Sequence, residues 1–364
     1  MRSPRRFGVL IPLALVFVLA IAACGGDDDD DSNASNTTAG GDTTTTVSTE
    51  PVTLRLGYFG NTTHAPAIVG IEHGEFKKSL GSNVTLETTV FNAGPAAVEA
   101  IFGGQLDASF IGPNPSINAY AQSNGEKVRV VSGTASGGAY LVVKPGITAK
   151  DLAGKTLATP QLGNTQDVAL RTWLKDQGYE TDTAGGGEVK ILPQENSQTL
   201  DTFKAGQIDG AWVPEPWATR LVQEGGGEIL VDEKDLWPDG KYVTTNLLVT
   251  TEFLDAHPDV VQQLIAGLGD AIDFIKASPT DAEGVVAAGI EKATGKPIKP
   301  ELVTASFANI DFTLDPVPSS LLQGAKNAEA VGLLDPVDNL EGLYDLKPLN
   351  AVLKDRGEEE VSVP

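Results

Sequence analysis

The sequence predicts an α/β protein built as two lobes, and three observations predict it. Beyond residue 50, strand-like stretches alternate with helix-like ones, which implies parallel or mixed sheets covered by helices. A supersecondary phrase also occurs twice, about a hundred residues apart. Its first copy runs from Ile101 through Gly104-Gln105-Leu106-Asp107 to Ile111, then Gly112-Pro113-Asn114-Pro115. The second runs from Thr202 through Gly206-Gln207-Ile208-Asp209 to Val213, then Pro214-Glu215-Pro216-Trp217. Each reads as a helix end, a glycine C-cap, a short buried strand and a proline-marked turn into another helix. Third, the roughly 310 residues after the N-terminal region exceed what one hydrophobic core usually holds.

Taken in chain order, the first element is an export signal. Met1-Arg2-Ser3-Pro4-Arg5-Arg6 is a basic head, residues 7–20 are apolar apart from Gly8 and Pro12, and small residues lead to Cys24, the single cysteine. The apolar run is too short to favour spanning a bilayer. This is a lipobox pattern, in which residues 1–23 are the signal peptide and the mature chain begins at an acylated Cys24. One acyl chain holds a protein only marginally, so an anchor of two or three chains is what makes attachment stable. A single cysteine makes no internal disulfide. Residues 24–51 are Asp, Ser, Asn, Thr and Gly with almost nothing apolar, and read as a flexible acidic tether. The unspaced aspartates at 27–31 read as solvated charge rather than as a calcium site.

The chain holds 26 basic and 49 acidic residues, of which residues 1–50 contribute 3 and 7, so the folded part is strongly acidic. That balance argues against nucleic acid or an anionic membrane surface as partner.

Within the folded part, 52–58 alternates as a strand, 65–76 is helical, 84–91 is a strand and 95–102 is helical. Strands are expected at 127–132, 139–143, 156–158 and 188–192, with helices at 165–177 and 199–204. The apolar, β-branched run 242–249 reads as the return crossing, and the chain turns mainly helical after Pro258. The first lobe would then be residues 52–138 and 246–364, with the second, 139–245, inserted between.

In open α/β sheets, ligands bind beyond the carboxyl ends of the strands. Four loops lie at such places: Gly60-Asn61-Thr62-Thr63-His64, Gly112-Pro113-Asn114-Pro115-Ser116, Thr159-Pro160-Gln161-Leu162-Gly163-Asn164-Thr165-Gln166, and Val213-Pro214-Glu215-Pro216-Trp217. Helix N-termini there present free amides and the positive dipole end, which suits an anion. Asn164 and Thr165 either cap their helix or meet a ligand, and His64 is either a loop histidine or a contact. Trp217 either walls a pocket or packs between lobes. Glu215 is awkward, because a desolvated carboxylate repels an anion unless neutralised. The Ser/Gly-rich run 132–138 reads as a hinge, a ligand contact, or both. The chain shows no Ser/His/Asp order, phosphate loop or metal-spaced His/Cys set; His64, His73 and His257 are scattered. Neither catalysis, nor a cofactor, nor a metal is expected.

Between Val52 and Pro348 the chain resembles the substrate-binding proteins of ABC importers for nitrate, sulfonate, taurine and bicarbonate. The resemblance is carried by Gly57-Tyr58-Phe59 leading to His64-Ala65-Pro66, the two Gly-Gln-Leu/Ile-Asp phrases, Leu152-Ala153-Gly154-Lys155-Thr156, Gly163-Asn164-Thr165, and Pro214-Glu215-Pro216-Trp217. It implies a type II periplasmic-binding-protein fold, two α/β lobes joined by two crossover strands with a helical C-terminal part, closing on ligand by hinge motion. The helix N-termini of both lobes are what point to a small anionic solute such as a sulfonate or nitrate, and a monomer is expected. The resemblance implies an ABC permease and its ATPase as partners but does not carry over the identity of the ligand. By loop it places ligand positions at Asn61, Thr62, His64, Asn114, Ser116, Gln161, Gly163, Asn164, Thr165, Gln166, Glu215 and Trp217. Alternatives within that resemblance are a pyrimidine precursor of thiamine or an aromatic acid as ligand, or a pyrimidine-synthase-like enzyme. A sensory or adhesive lipoprotein on the same scaffold is a further class.

Overall fold

The computed structural model describes residues 51–364; the expected export signal, Cys24 and the expected tether up to residue 50 lie outside the described residues. β1 (Val52–Phe59) sends Leu54, Leu56 and Tyr58 to one face and pairs in parallel over its whole length with β2 (Val84–Phe91). A single 3₁₀ turn (Thr62–His64), α1 (Ala65–Glu72) and α2 (Glu75–Leu80) join them. The pattern over 65–76 suggests one helix, but Gly74 at φ 93° breaks it, and Phe76 folds back onto Gly70, where a Cβ would stand 2.4 Å from the ring.

The chain continues through α3 (Gly94–Phe102), β3 (Ala108–Ile111), α4 (Pro113–Gln122) and β4 (Val128–Gly137). Next come β5 (Ala139–Val143), β6 (Thr156–Thr159), α5 (Thr165–Asp176), β7 (Lys190–Pro193), α6 (Asn196–Lys204), β8 (Gly210–Pro214), α7 (Trp217–Gln223) and β9 (Glu228–Asp232). β10 (Val243–Thr250) precedes α8 (Thr251–Ala256), α9 (Pro258–Ala277), α10 (Pro279–Thr294), α11 (Pro300–Phe307), β11 (Ile310–Phe312), α12 (Pro318–Ala330) and α13 (Lys347–Arg356).

Two sheets result. One has six strands in the order β11-β4-β10-β3-β1-β2, the other five in the order β7-β6-β8-β5-β9. Omitting β11, the two orders are the same arrangement built twice: a parallel trio, then an antiparallel strand, β10 against β3 and β5 against β8. The repeated phrase sets this geometry. Asp107 accepts from the Arg55 backbone N–H at 2.8 Å and its Nε at 2.9 Å, tying β3 to β1. Asp209 accepts from the Thr156 N–H at 2.9 Å, tying β8 to β6. Each aspartate carbonyl also accepts from the neighbouring antiparallel strand, Thr250 N–H and Lys144 N–H.

The chain crosses between sheets twice, at Gly137-Gly138 (φ 80° and 75°) and through residues 233–242. The Ser/Gly run 132–138 mostly continues β4. Its Gly133 lies against the Asp315 carbonyl, where a Cβ would meet the oxygen at 2.2 Å. Each sheet is covered on both faces, as alternation along a buried strand requires. Phe110, Leu247 and Val249 pack with α1, α2 and α9, while Ile111 and Leu248 point the other way toward α3, α4 and α12. α9 presents Val261, Leu264, Ile265, Leu268 and Ile272 at helical spacing to that first core. Leu200 and Phe203 of α6 pack on one face of the five-stranded sheet, Leu170 and Trp173 of α5 on the other.

Candidate solute site

Parallel strands end in loops that start helices, so both sheets aim their carboxyl ends at the space between them. A cavity of about 30 Å³ lies there, lined by residues of both lobes. Four helices start at its wall: α3 and α4 from one lobe, represented by Gly94 and Gly112, and α5 and α6 from the other, represented by Thr165 and Asn196. Each end carries roughly half a positive charge on unpaired amides. Among the described residues, no ionisable side chain except His64 lines the cavity.

His64 is buried, which drops its pKa to about 3, so the imidazole is neutral. Its Nδ1 accepts from the Phe59 N–H at 3.4 Å, which places the ring proton on Nε2. Asn164 caps α5 by accepting from the Asp167 N–H at 2.9 Å and donates its amide to Gln166 Oε1 at 3.0 Å, leaving Gln166 Nε2 as a donor. Asp167 and Arg171 form a wholly buried pair at 3.0 Å behind this loop. The same carboxylate accepts from Thr159 Oγ1 and the Gly163 N–H, fixing the loop that carries Asn164.

Three lining residues hold buried polar atoms without a protein partner: the hydroxyls of Thr165 and Thr245 and Oδ1 of Asn196. Such atoms are rare in a folded interior and costly unless something else meets them. The Thr165 hydroxyl faces the opposite lobe so closely that a Cβ on Gly112 would stand 2.4 Å from it.

Of the positions expected from the sequence, Asn61, His64, Asn164, Thr165 and Gln166 line the cavity. The others face elsewhere. Asn114 donates to the Gly324 carbonyl of α12, and Ser116 donates to the Gly112 carbonyl and accepts from Asn246 Nδ2. Thr62 is buried beside the cavity wall, Gln161 lies in the loop whose Pro160 lines it, and the Gly163 N–H is held by Asp167. Glu215 is 1% exposed. It accepts from the Thr219 N–H and hydroxyl and from Asn309 Nδ2, and burial raises its pKa despite those bonds. Trp217 donates to Asn61 Oδ1 at 2.9 Å and lines a wider chamber of about 250 Å³ that shares Asn61 and Asn92 with the cavity.

Sequence reasoning did not single out Asn92, Asn196, Thr244 and Thr245, all of which line the cavity. Asn92 directly follows β2 and was detectable as a polar residue at a strand's carboxyl end. Among the described residues no three His, Cys, Asp or Glu side chains group to hold a metal ion, and no helix is long and apolar enough to cross a membrane.

A family model described as the NMT1-like family matches residues 48–290. The taurine-binding periplasmic protein of Escherichia coli (strain K12) is 27% identical over 219 residues, 60% of this chain and 65% of that protein. The bicarbonate-binding protein CmpA of Synechococcus sp. is 25% identical over 258 residues, 64% of this chain and 56% of that protein. Among solved structures, the alkanesulfonate-binding protein SsuA from Xanthomonas axonopodis pv. citri superposes with a TM-score of 0.66 at 20% identity, covering 82% of this chain and all of that one. The fold is the type II periplasmic-binding-protein fold, two α/β lobes joined by two crossover strands.

Proposed function

The chain belongs to the NMT1-like family, and from that premise we propose that it is an extracytoplasmic binding protein that holds one small anionic solute between its lobes and delivers it to an ABC importer. The observation that carries the ligand class is the meeting of four helix N-termini with neutral donors in a cavity without a carboxylate. The four ends together supply nominally about two positive charges, enough for a monoanion. Thr165 Oγ1, Thr245 Oγ1, Gln166 Nε2 and His64 Nε2 add donors, and Asn196 Oδ1 is a lone acceptor. The set fits an acceptor-rich head group, as in a sulfonate, nitrate or bicarbonate.

About 30 Å³ holds roughly two water-sized bodies. That favours a small head group over a pyrimidine or aromatic ring in this closed geometry. We read the site as binding rather than catalysing, since the imidazole is neutral, held through Nδ1 and not paired with a nucleophile. The relatives named for taurine and bicarbonate binding support the reading.

A calorimetric screen of taurine, methanesulfonate, nitrate, bicarbonate and a thiamine-type pyrimidine tests it. At a hundredfold excess over Kd the true solute raises stability by about 2.7 kcal/mol. If only neutral or cationic compounds act, the anion reading fails. Anchoring through lipid on Cys24 is tested separately: Cys24→Ser leaves the membrane fraction while solute affinity stays the same, and a variant that stays membrane-bound refutes the anchor.

A further inference from the structure

We propose that the Pro214-Glu215-Pro216-Trp217 turn is a closure latch, setting affinity by bonding across the lobes rather than by touching the solute. This rests on reading the interlobe cavity as the solute site. The turn leaves the five-stranded sheet at the end of β8 and makes two side-chain bonds to the other lobe. Glu215 Oε1 accepts from Asn309 Nδ2 at 2.6 Å, just beyond α11, and Trp217 Nε1 donates to Asn61 Oδ1 at 2.9 Å. Its backbone also reaches the first crossing, where the Glu215 N–H donates to the Gly138 carbonyl at 2.8 Å. Of the four residues of the turn only Pro214 lines the cavity.

Each latch group is held ready within its own lobe. The Glu215 carboxylate is fixed by the Thr219 N–H at 3.0 Å and hydroxyl at 2.8 Å, and the Arg220 guanidinium lies 4.9 Å from the Trp217 ring centre. Closure therefore orders little that is not already ordered, and opening hands both bonds to water. Asn61 links latch to cargo: its Oδ1 is taken by Trp217, so its amide nitrogen is the group left to donate at the cavity wall. A device of this kind scales the apparent Kd of every solute by the fraction of protein in the closed form. A contact residue instead changes the ranking of solutes.

The test uses the full-length protein in detergent with Asn309→Ala, at a half-buried position outside the cavity, and Trp217→Phe, which keeps the ring and deletes the N–H. Calorimetry against taurine, methanesulfonate, nitrate and bicarbonate should show Asn309→Ala weakening every solute the parent binds by roughly tenfold, the value of a hydrogen bond to a charged group. Trp217→Phe should weaken each by about threefold. The order of solutes should be unchanged in both, with the loss in dissociation rate. A second readout needs no solute: 5-fluorotryptophan gives four ¹⁹F resonances, one per tryptophan. The Trp217 line, assigned by its loss in Trp217→Phe, should sit at a different position in ligand-free Asn309→Ala than in the ligand-free parent. Unequal losses among solutes would make the turn a contact surface and overturn the latch. So would unchanged affinity with an unmoved Trp217 line. If the parent binds none of the four, the solute reading fails, while the ligand-free ¹⁹F comparison still decides the latch.

Discussion

His64 decides whether the cavity carries a charge of its own. Its burial without a carboxylate partner holds the folded pKa near 3, far below the ordinary 6.5, so the ring stays neutral across pH 5 to 8. Affinity for an anionic solute should then be flat over that range. A rise of more than a few-fold as pH falls through 6.5 would mean that the bound anion draws a proton onto the ring. Thr165 permits an opposite-signed test, because its hydroxyl is buried without a partner. Thr165→Val should leave urea stability equal or raise it by about 1 kcal/mol, since an orphan polar atom is removed, while solute affinity falls roughly tenfold. A variant that binds as well as the parent would place the hydroxyl outside recognition. Asn164 and Thr165 were legible from capping logic, which marks helix starts. Asn196 was not, because the polar run 194–198 hid a helix that begins three residues before the apolar pattern does. Thr244 and Thr245 were hidden for a different reason: inside a β-branched run, threonine reads as strand propensity whichever way its hydroxyl points.

At the scale of elements, the second crossing holds a charge problem. Glu233 opens it as a buried carboxyl, accepting from Trp212 Nε1 at 2.7 Å, while Trp237 stacks on buried Tyr242 at 5.6 Å. Burial pushes Glu233 from 4.5 up to about 7, outweighing the indole bonds. Since the folded pKa lies above the unfolded one, its contribution to stability is complete below pH 4.5 and is lost as pH rises through 7. The loss is about 3 kcal/mol by the end of that window. Urea midpoints at pH 5 and pH 8 should therefore differ more in the parent than in Glu233→Gln, which cannot ionise. An equal pH dependence in the two proteins would rule out Glu233 as the source. The pattern announced most elements because their apolar periods are undisturbed, as in 84–91. It misled at 65–76, where apolar spacing continued through Gly74 and only the glycine's left-handed backbone shows that the helix stops.

At the scale of the whole molecule, the doubled architecture was legible because Asp107 and Asp209 hold equivalent strands by equivalent bonds, and such a bond needs the same short phrase each time. The addition of β11 was not legible, since three residues of edge strand carry too little pattern. The order of the strands has a further consequence for folding. Every strand of the five-stranded sheet comes from the continuous segment 139–232, whereas the six-stranded sheet needs β10 between β3 and β4. That central strand reaches its neighbours only after the whole second lobe has been traversed. Closing so long a loop costs entropy that local pairings avoid, and non-local pairings slow folding. Refolding should accordingly protect the amides of β5 to β9 before those of β10, with β3 and β4 gaining protection together with β10. Pulsed hydrogen exchange read by mass spectrometry resolves the two groups. Protection of β10 as early as β8 would show that the inserted lobe does not fold first and that the two sheets form as one cooperative unit.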